Sequence, residues 1–240
     1  MSRKIIGHRG AAGLALENSA ESLLSATHYQ LDAIEFDVRL TKDQQLVILH
    51  DRHTGRVANQ RIVVHQRTLS EIKKIPLKNG QSILTLDEAL ALLKDQHVII
   101  ESKDCGVAEK LPEVMKRHPN VQASFLSFRR SEVKRLRQLF PDSTIYIATL
   151  FRPIAVALFG KQLKATGIAT SIWLTDPLTY WLAQKFNLEV IVYSVDNPHL
   201  YRLLRRFYPK ISLVTNHPEY FVGARTIKNT PATKVRGYKL

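Results

Sequence analysis

Short runs rich in Val, Ile and other strand-forming residues alternate with segments of helical period through most of this chain. Alternation of that kind argues for parallel strands covered by helices. Nine runs qualify as strands: residues 4–7, 33–38, 46–50, 98–103, 123–127, 144–149, 167–172, 189–195 and 212–215. Helical periodicity is clearest over 19–29, 86–94, 107–117, 131–140, 178–186 and 199–207. The second and third runs are separated only by residues 39–45, and parallel neighbours need a crossover of about a dozen residues or more. Residues 46–50 therefore read as a short hairpin excursion after the second strand. Eight strands remain, the number that closes a (β/α)8 TIM barrel. A doubly wound open sheet would show the same alternation, but no Gly-rich dinucleotide fingerprint supports it.

The length of 240 residues suits one such domain. Residues 1–224 are assigned to the barrel and residues 225–240 to a basic tail. Arg225, Lys228, Lys234, Arg236 and Lys239 stand in that tail without an acidic residue. Cys105 is the single cysteine, so no internal disulfide can form, as suits a reducing compartment. The longest apolar region, 145–160, is broken by Arg152 and Pro153 and is too short to cross a bilayer. No secretory signal is visible, and a cytoplasmic protein is expected. The net charge is +14, an excess that favours anionic partners. Solvated helix faces such as Lys134-Arg135-Leu136-Arg137 account for much of it. The aromatics are scattered and no nucleic-acid readout motif is present, so no specific nucleic-acid partner is expected.

The chemistry-bearing residues cluster at predicted strand ends. Alternate side chains of a strand share a face, so Glu35 and Asp37 point one way and Ile34, Phe36 and Val38 the other. Two carboxylates side by side in a buried place repel each other unless a cation or a shared proton separates them. Glu101 and Lys103 repeat the arrangement at the end of another apolar strand. A barrel places its catalytic groups at such C-terminal strand ends. Three carboxylates without cysteine suit a hard cation, Ca²⁺ or Mg²⁺. The first strand ends in Gly7-His8-Arg9-Gly10, which supplies an acid/base group and a planar anion fork. His50, beside Asp51, supplies a second histidine. Two histidines can act as general base and general acid in one displacement. Arg9, Lys103 and a metal would stabilise charge on phosphoryl oxygens. The set points to a metal-dependent phosphodiesterase.

Ile6-Gly-His-Arg-Gly10, Leu16-Glu-Asn-Ser19, Glu35-Phe-Asp37, Val47-Ile-Leu-His-Asp51 and Glu101-Ser-Lys103 together resemble the glycerophosphodiester phosphodiesterase family, in its compact form without a large insertion. Leu69-Ser-Glu-Ile72, Ser124-Phe125, Val192-Tyr-Ser-Val-Asp196 and Val214-Thr-Asn-His-Pro218 extend the resemblance more weakly to the second half. The resemblance implies a TIM barrel, one bound Ca²⁺ or Mg²⁺, and hydrolysis of glycerophosphodiesters to glycerol 3-phosphate and an alcohol. It implies Glu35, Asp37 and Glu101 as metal ligands and His8 and His50 as the acid/base pair. Arg9 and Lys103 would hold the phosphate, and Glu17 and Asn18 would support the first loop. It also implies attack by the substrate's own glycerol hydroxyl through a cyclic phosphate. Four positions depart from the family pattern: Leu16 for Pro, Ser19 for Thr, Tyr193 for Trp and Asn216 for Asp. These are loop and pocket positions, so they bear on the substrate.

Residues 149–160 follow a predicted strand and are very apolar for a loop. One reading is a barrel helix beginning near Pro153. The other is an apolar lip for an acyl chain or an anionic membrane surface, which would make the protein a peripheral membrane binder and a lysophospholipid a substrate. A lysophospholipase D-type cleavage and a non-catalytic, phosphodiester-binding barrel are the alternatives to the expected activity. The oligomeric state is not encoded in any motif.

Overall fold

The computed structural model describes residues 3–149 and 153–222. Nine strands run in chain order: β1 (Ile5–Gly7), β2 (Ala33–Leu40), β3 (Leu46–Ile48), β4 (His97–Ser102), β5 (Gln122–Ser127), β6 (Ile145–Thr149), β7 (Gly167–Ser171), β8 (Glu189–Tyr193) and β9 (Ile211–Thr215). The described helices are α1 (Ala20–Thr27), α2 (Leu69–Lys73), α3 (Leu86–Leu92), α4 (Val107–Arg117), α5 (Arg130–Leu139), α6 (Pro153–Gln162), α7 (Pro177–Lys185) and α8 (Pro198–Phe207). Eight strands pair in parallel in the order β1-β2-β4-β5-β6-β7-β8-β9, and β1 pairs with β9 to close the ring. This is a TIM barrel, as the alternating pattern predicts.

β3 lies outside the ring, as the missing crossover requires. It runs antiparallel to β2 with Val38 opposite Ile48 and Leu40 opposite Leu46. β1 stops at Gly7, opposite Ile34, so the rest of that β2 edge has no ring partner. β3 pairs with the overhang and satisfies its backbone groups. The long connection from β3 to α3 packs its own core of Val47, Leu49, Val57, Ile72 and Ile83. Capping boxes start α2 (Thr68 with Glu71) and α3 (Thr85 with Glu88).

Strand parity divides the main core in two. Ile6, Ala33, Ile99, Leu126, Tyr146, Ile191 and Val214 fill the barrel interior. Ile34, Phe36, Val38, Val98 and Ile100 face the helices instead. Glu35, Asp37 and Glu101 thus sit in the inward series, above the apolar plug. Below it, Lys4 Nζ meets Glu189 Oε2 at 2.8 Å, and the Tyr146 hydroxyl donates to the same oxygen at 2.6 Å. Ion pair and hydroxyl seal the barrel floor, so the interior opens at the C-terminal strand ends.

The apolar segment after β6 is a helix over its described part. In α6, Val156 and Ala157 are buried, and Phe159 packs against the core beneath the Arg130 guanidinium. Residues 150–152 and the tail, 225–240, lie outside the described residues. No described helix is long and apolar enough to cross a membrane.

Candidate active site

The loop after β1 is shaped by two consecutive left-handed residues, Arg9 at φ 50° and Gly10 at φ 84°. A Cβ on Gly10 would lie 2.6 Å from the backbone of Ser22, so only glycine lets α1 approach here. The turn aims the Arg9 amide at Glu35 Oε2, 2.9 Å away, and brings its guanidinium Nε to 3.3 Å from Asp37 Oδ2. Arg9 Nη1 is held by Glu17 at 3.0 Å. Asn18, itself left-handed at φ 56°, donates to Asp37 Oδ2 at 2.8 Å and accepts from the Asp37 amide at 3.2 Å. Glu17 and Asn18 thus contact the two residues, Arg9 and Asp37, that the first loop brings together.

Glu35, Asp37 and Glu101 offer oxygen atoms that all lie within 4.8 Å of one another. All three are buried, Asp37 to 1% exposure. Lys103 Nζ donates to Glu101 Oε1 at 2.7 Å and stands 3.3 Å from Asp37 Oδ1. Burial and the Asp37 and Glu101 charges push Glu35 well above the usual glutamate range. Burial and Asp37 lift Glu101 to about 7 against the pull of Lys103. Burial would raise Asp37 as well, but Lys103, Arg9 and His50 outweigh it and hold that carboxyl at about 2. Glu35 Oε1 and Asp37 Oδ1 are buried without a hydrogen-bond partner. Crowded carboxylates with orphaned oxygens fit a hard divalent cation, which would offset both the repulsion and the lost hydrogen bonds.

The two histidines reach this cluster from different elements. His8 directly follows β1, and its Nδ1 lies 2.7 Å from Asn216 Oδ1. The Asn216 amide nitrogen donates to Asp196 Oδ2 at 2.8 Å, which turns its oxygen towards His8. His8 must then donate from Nδ1, leaving Nε2 with a free lone pair. His50 follows β3, and its Nδ1 lies 2.6 Å from Asp51 Oδ1. Asp51 only accepts, so His50 likewise keeps a proton on Nδ1, and Nε2 is the nitrogen left to exchange one. Burial, followed by Arg9 for His8 and by the Lys103 and Arg9 charges for His50, lowers both rings below the usual histidine range. Both histidines line one cavity of about 550 Å³ together with Arg9, Glu35, Glu101 and Lys103. Leu126, Phe128, Tyr193 and Val214 form its apolar wall, and Phe128 meets Tyr193 edge-on at 6.0 Å.

All seven residues singled out for metal, phosphate and proton transfer thus converge. Three supports escaped the sequence reading. Arg39 sends Nε and Nη2 to the His50 carbonyl at 2.9 and 2.7 Å, and its Nη1 to Asp104 at 2.5 Å. Arg56 pairs with Asp51 at 2.8 Å and with Glu17, tying the His50 loop to the Arg9 loop. Arg129 Nε donates to the Lys103 carbonyl at 3.1 Å. Parity could have found Arg39, the next inward position after Asp37. No local pattern marks the other two. The Asn216 departure proves to be the residue that orients His8.

Residues 8–220 match the glycerophosphoryl diester phosphodiesterase family. YhdW of Bacillus subtilis is 34% identical over 239 residues, covering 91% of this chain and 96% of its own length. The glycerophosphodiester phosphodiesterase of Bacillus subtilis is 29% identical over 90% of this chain and 84% of its own. A phosphodiesterase from Oleispira antarctica, solved with its product sn-glycerol-3-phosphate, superposes with a TM-score of 0.82 at 22% identity, over 90% of this chain and 94% of that one. The Thermotoga maritima glycerophosphodiester phosphodiesterase gives 0.78 at 23% identity, over 92% and 97%. The solved structures carry the fold; the family match and the 34% identical relative carry the lineage. By that match, this chain belongs to the glycerophosphoryl diester phosphodiesterase family and is one of its enzymes.

Proposed function

We propose that this site hydrolyses glycerophosphodiesters to glycerol 3-phosphate and an alcohol, with one divalent cation and with His8 and His50 as the proton-transfer pair. The observation that carries the reading is the three-carboxylate cluster facing two cations and two oriented histidines across one cavity. Glu35, Asp37 and Glu101 would hold Ca²⁺ or Mg²⁺, which supplies electrostatic stabilisation of the charge on the phosphoryl oxygens. Arg9 and Lys103 face the same charge from the protein side.

The proton transfers follow from the partners of the two rings. Burial lowers both rings, but the Asp51 carboxylate opposes it at His50 and stabilises the imidazolium that ring needs as proton donor; the neutral Asn216 amide offers His8 no counter-charge, which suits it to act as base. His8 Nε2 takes the proton of a glycerol hydroxyl, whose oxygen attacks phosphorus. The bond to the leaving alcohol breaks, and His50 Nε2 returns a proton to that alkoxide. Water then opens the cyclic phosphate with the roles reversed: His50 takes the proton and His8 gives one back. Both rings end as they began, and no protein nucleophile is needed.

The deciding experiment measures glycerol 3-phosphate released from glycerophosphocholine and glycerophosphoethanolamine, with Ca²⁺, Mg²⁺ or chelator. Wild type is compared with His8→Ala and Glu35→Gln. The reading expects metal-dependent release and loss of at least about a hundredfold in both variants, within the range for a general acid/base group. Undiminished activity in either variant overturns the assignment. Metal-tight binding of substrate without release would identify a non-catalytic barrel.

A further inference from the structure

The chain has two tryptophans, Trp173 and Trp181, and neither is buried. Trp173 is 85% exposed and Trp181 54% exposed. Tryptophan is ordinarily among the well-covered residues, so its exposure asks for a partner. Three more large apolar side chains stand exposed on the same two helices: Ile154 and Leu158 on α6, and Leu178 on α7. The helices pack against each other, and the spacings 154/158 and 178/181 keep each pair on one helical face. Trp173 lies on the short 3-10 turn between β7 and α7. Together they form an apolar ridge that begins beside the catalytic cavity. Ser171, two residues before Trp173, is in register with Tyr193 of the cavity wall.

The ridge is flanked by positive charge. Lys161 stands in the last turn of α6 with its ammonium 4.6 Å from the Phe186 ring, Lys164 follows the helix, and Lys185 ends α7 with its ammonium 4.9 Å from the Trp181 ring. Among the described residues, none of the three lysines has a carboxylate partner. Asp176 is the only acid between residues 153 and 188, and it caps α7.

We propose that this ridge docks the enzyme on an anionic lipid bilayer, with the tryptophans at the headgroup level and the lysines facing acidic headgroups. Tryptophan rings prefer that boundary, and unpaired lysines gain from the negative surface potential. A second copy of the chain is the competing occupant, and charge disfavours it. A two-fold interface would set these lysines against their own copies, on a molecule carrying +14. Docking here holds the cavity mouth beside the membrane, and it goes beyond the hydrolytic reading, since binding does not depend on catalysis.

Because both tryptophans lie on the ridge, emission excited selectively at tryptophan reports on the ridge. The full chain is titrated with vesicles of phosphatidylcholine alone or with 30% phosphatidylglycerol. The proposal expects a blue shift and quenching by brominated acyl chains, with partitioning at least tenfold stronger on the anionic vesicles. Trp173→Ser with Trp181→Ser is expected to cut vesicle cosedimentation at least tenfold. Hydrolysis of water-soluble glycerophosphocholine should stay at the wild-type rate, which reports that the barrel is intact. Unchanged emission with no cosedimentation at any composition overturns the proposal. A blue shift that follows protein concentration without lipid, with dimers in sedimentation velocity, assigns the ridge to self-association and also overturns it.

Discussion

Arg39 offers the sharpest test of how the fold positions His50. It is 7% exposed, and its guanidinium is committed to the His50 carbonyl and to Asp104. Arg39→Met keeps much of the side-chain volume and removes every donor. The buried carbonyl loses a charge-assisted pair of bonds to one oxygen, worth about 2 kcal/mol. Asp104, whose side chain is 25% exposed, loses its cation but keeps the Leu40 amide at 3.2 Å. Screening holds that loss to about 1–2 kcal/mol. The sum, about 3–4 kcal/mol, lowers the melting temperature by about 10 °C in a domain of this size. Freed of its clamp, His50 can drift, and a misplacement of about 1 Å costs roughly a hundredfold in rate. Steady-state kinetics well below the melting point should therefore show kcat reduced about thirty- to a hundredfold with KM changed less than about threefold, the pattern of a lost transition-state interaction. Arg39→Lys, with one donor within reach of the carbonyl, should recover part of kcat. Wild-type kcat in Arg39→Met, or a loss carried wholly by KM, refutes the clamp.

Three further outcomes follow from the same geometry. Asp51→Asn removes the carboxylate that stabilises imidazolium at His50, so the basic limb of the kcat/KM–pH profile should move towards acid; an unmoved limb removes His50 as the proton donor. Glu132, 3% exposed, accepts from Ser102 Oγ at 2.7 Å and from the Gly106 and Ala108 amides at 2.9 Å, anchoring the start of α4 beside Lys103. Glu132→Gln should cost about 2 kcal/mol, or roughly 4–8 °C by scanning calorimetry, and an unchanged melting temperature refutes that anchor. Glu101 is raised from 4.5 to about 7, so its contribution to metal-free stability is complete below about 4.5 and is lost as pH rises through about 7. A bound cation displaces that proton, so the melting-temperature gain from Ca²⁺ or Mg²⁺ should grow from pH 5 to pH 8 and vanish with chelator; a gain that is flat across that range argues against Glu101 as a ligand.

The parts of the site that sequence makes legible are those set by strand parity. Glu35, Asp37, Glu101 and Lys103 need only a period of two and a barrel to converge, and both are local properties of the chain. The excursion carrying His50 is legible for an equally local reason, the shortness of residues 39–45. The Arg56 pairs with Asp51 and Glu17 and the Arg39 bond to the His50 carbonyl join segments brought together only by the closed fold. No spacing rule encodes them. Asn216 marks the border between the two cases: the departure from family pattern is visible in the sequence, while its partner His8 lies 208 positions away.

The helices divide along a related line. Helix α2 is five residues long, too short to show a period. Helix α6 is long enough, yet its run Pro-Ile-Ala-Val-Ala-Leu-Phe-Gly has no polar face to set against an apolar one. Amphipathic periodicity is detected only when the outward face is polar. On α6 the outward face carries Ile154 and Leu158, while Val156 and Ala157 face the core. The missing polar stripe that makes the segment ambiguous as sequence is thus the same property that leaves an apolar ridge on the surface. Wherever a barrel helix of adequate length lacks a helical signal, an unsatisfied outer face is a direct physical reason to look for.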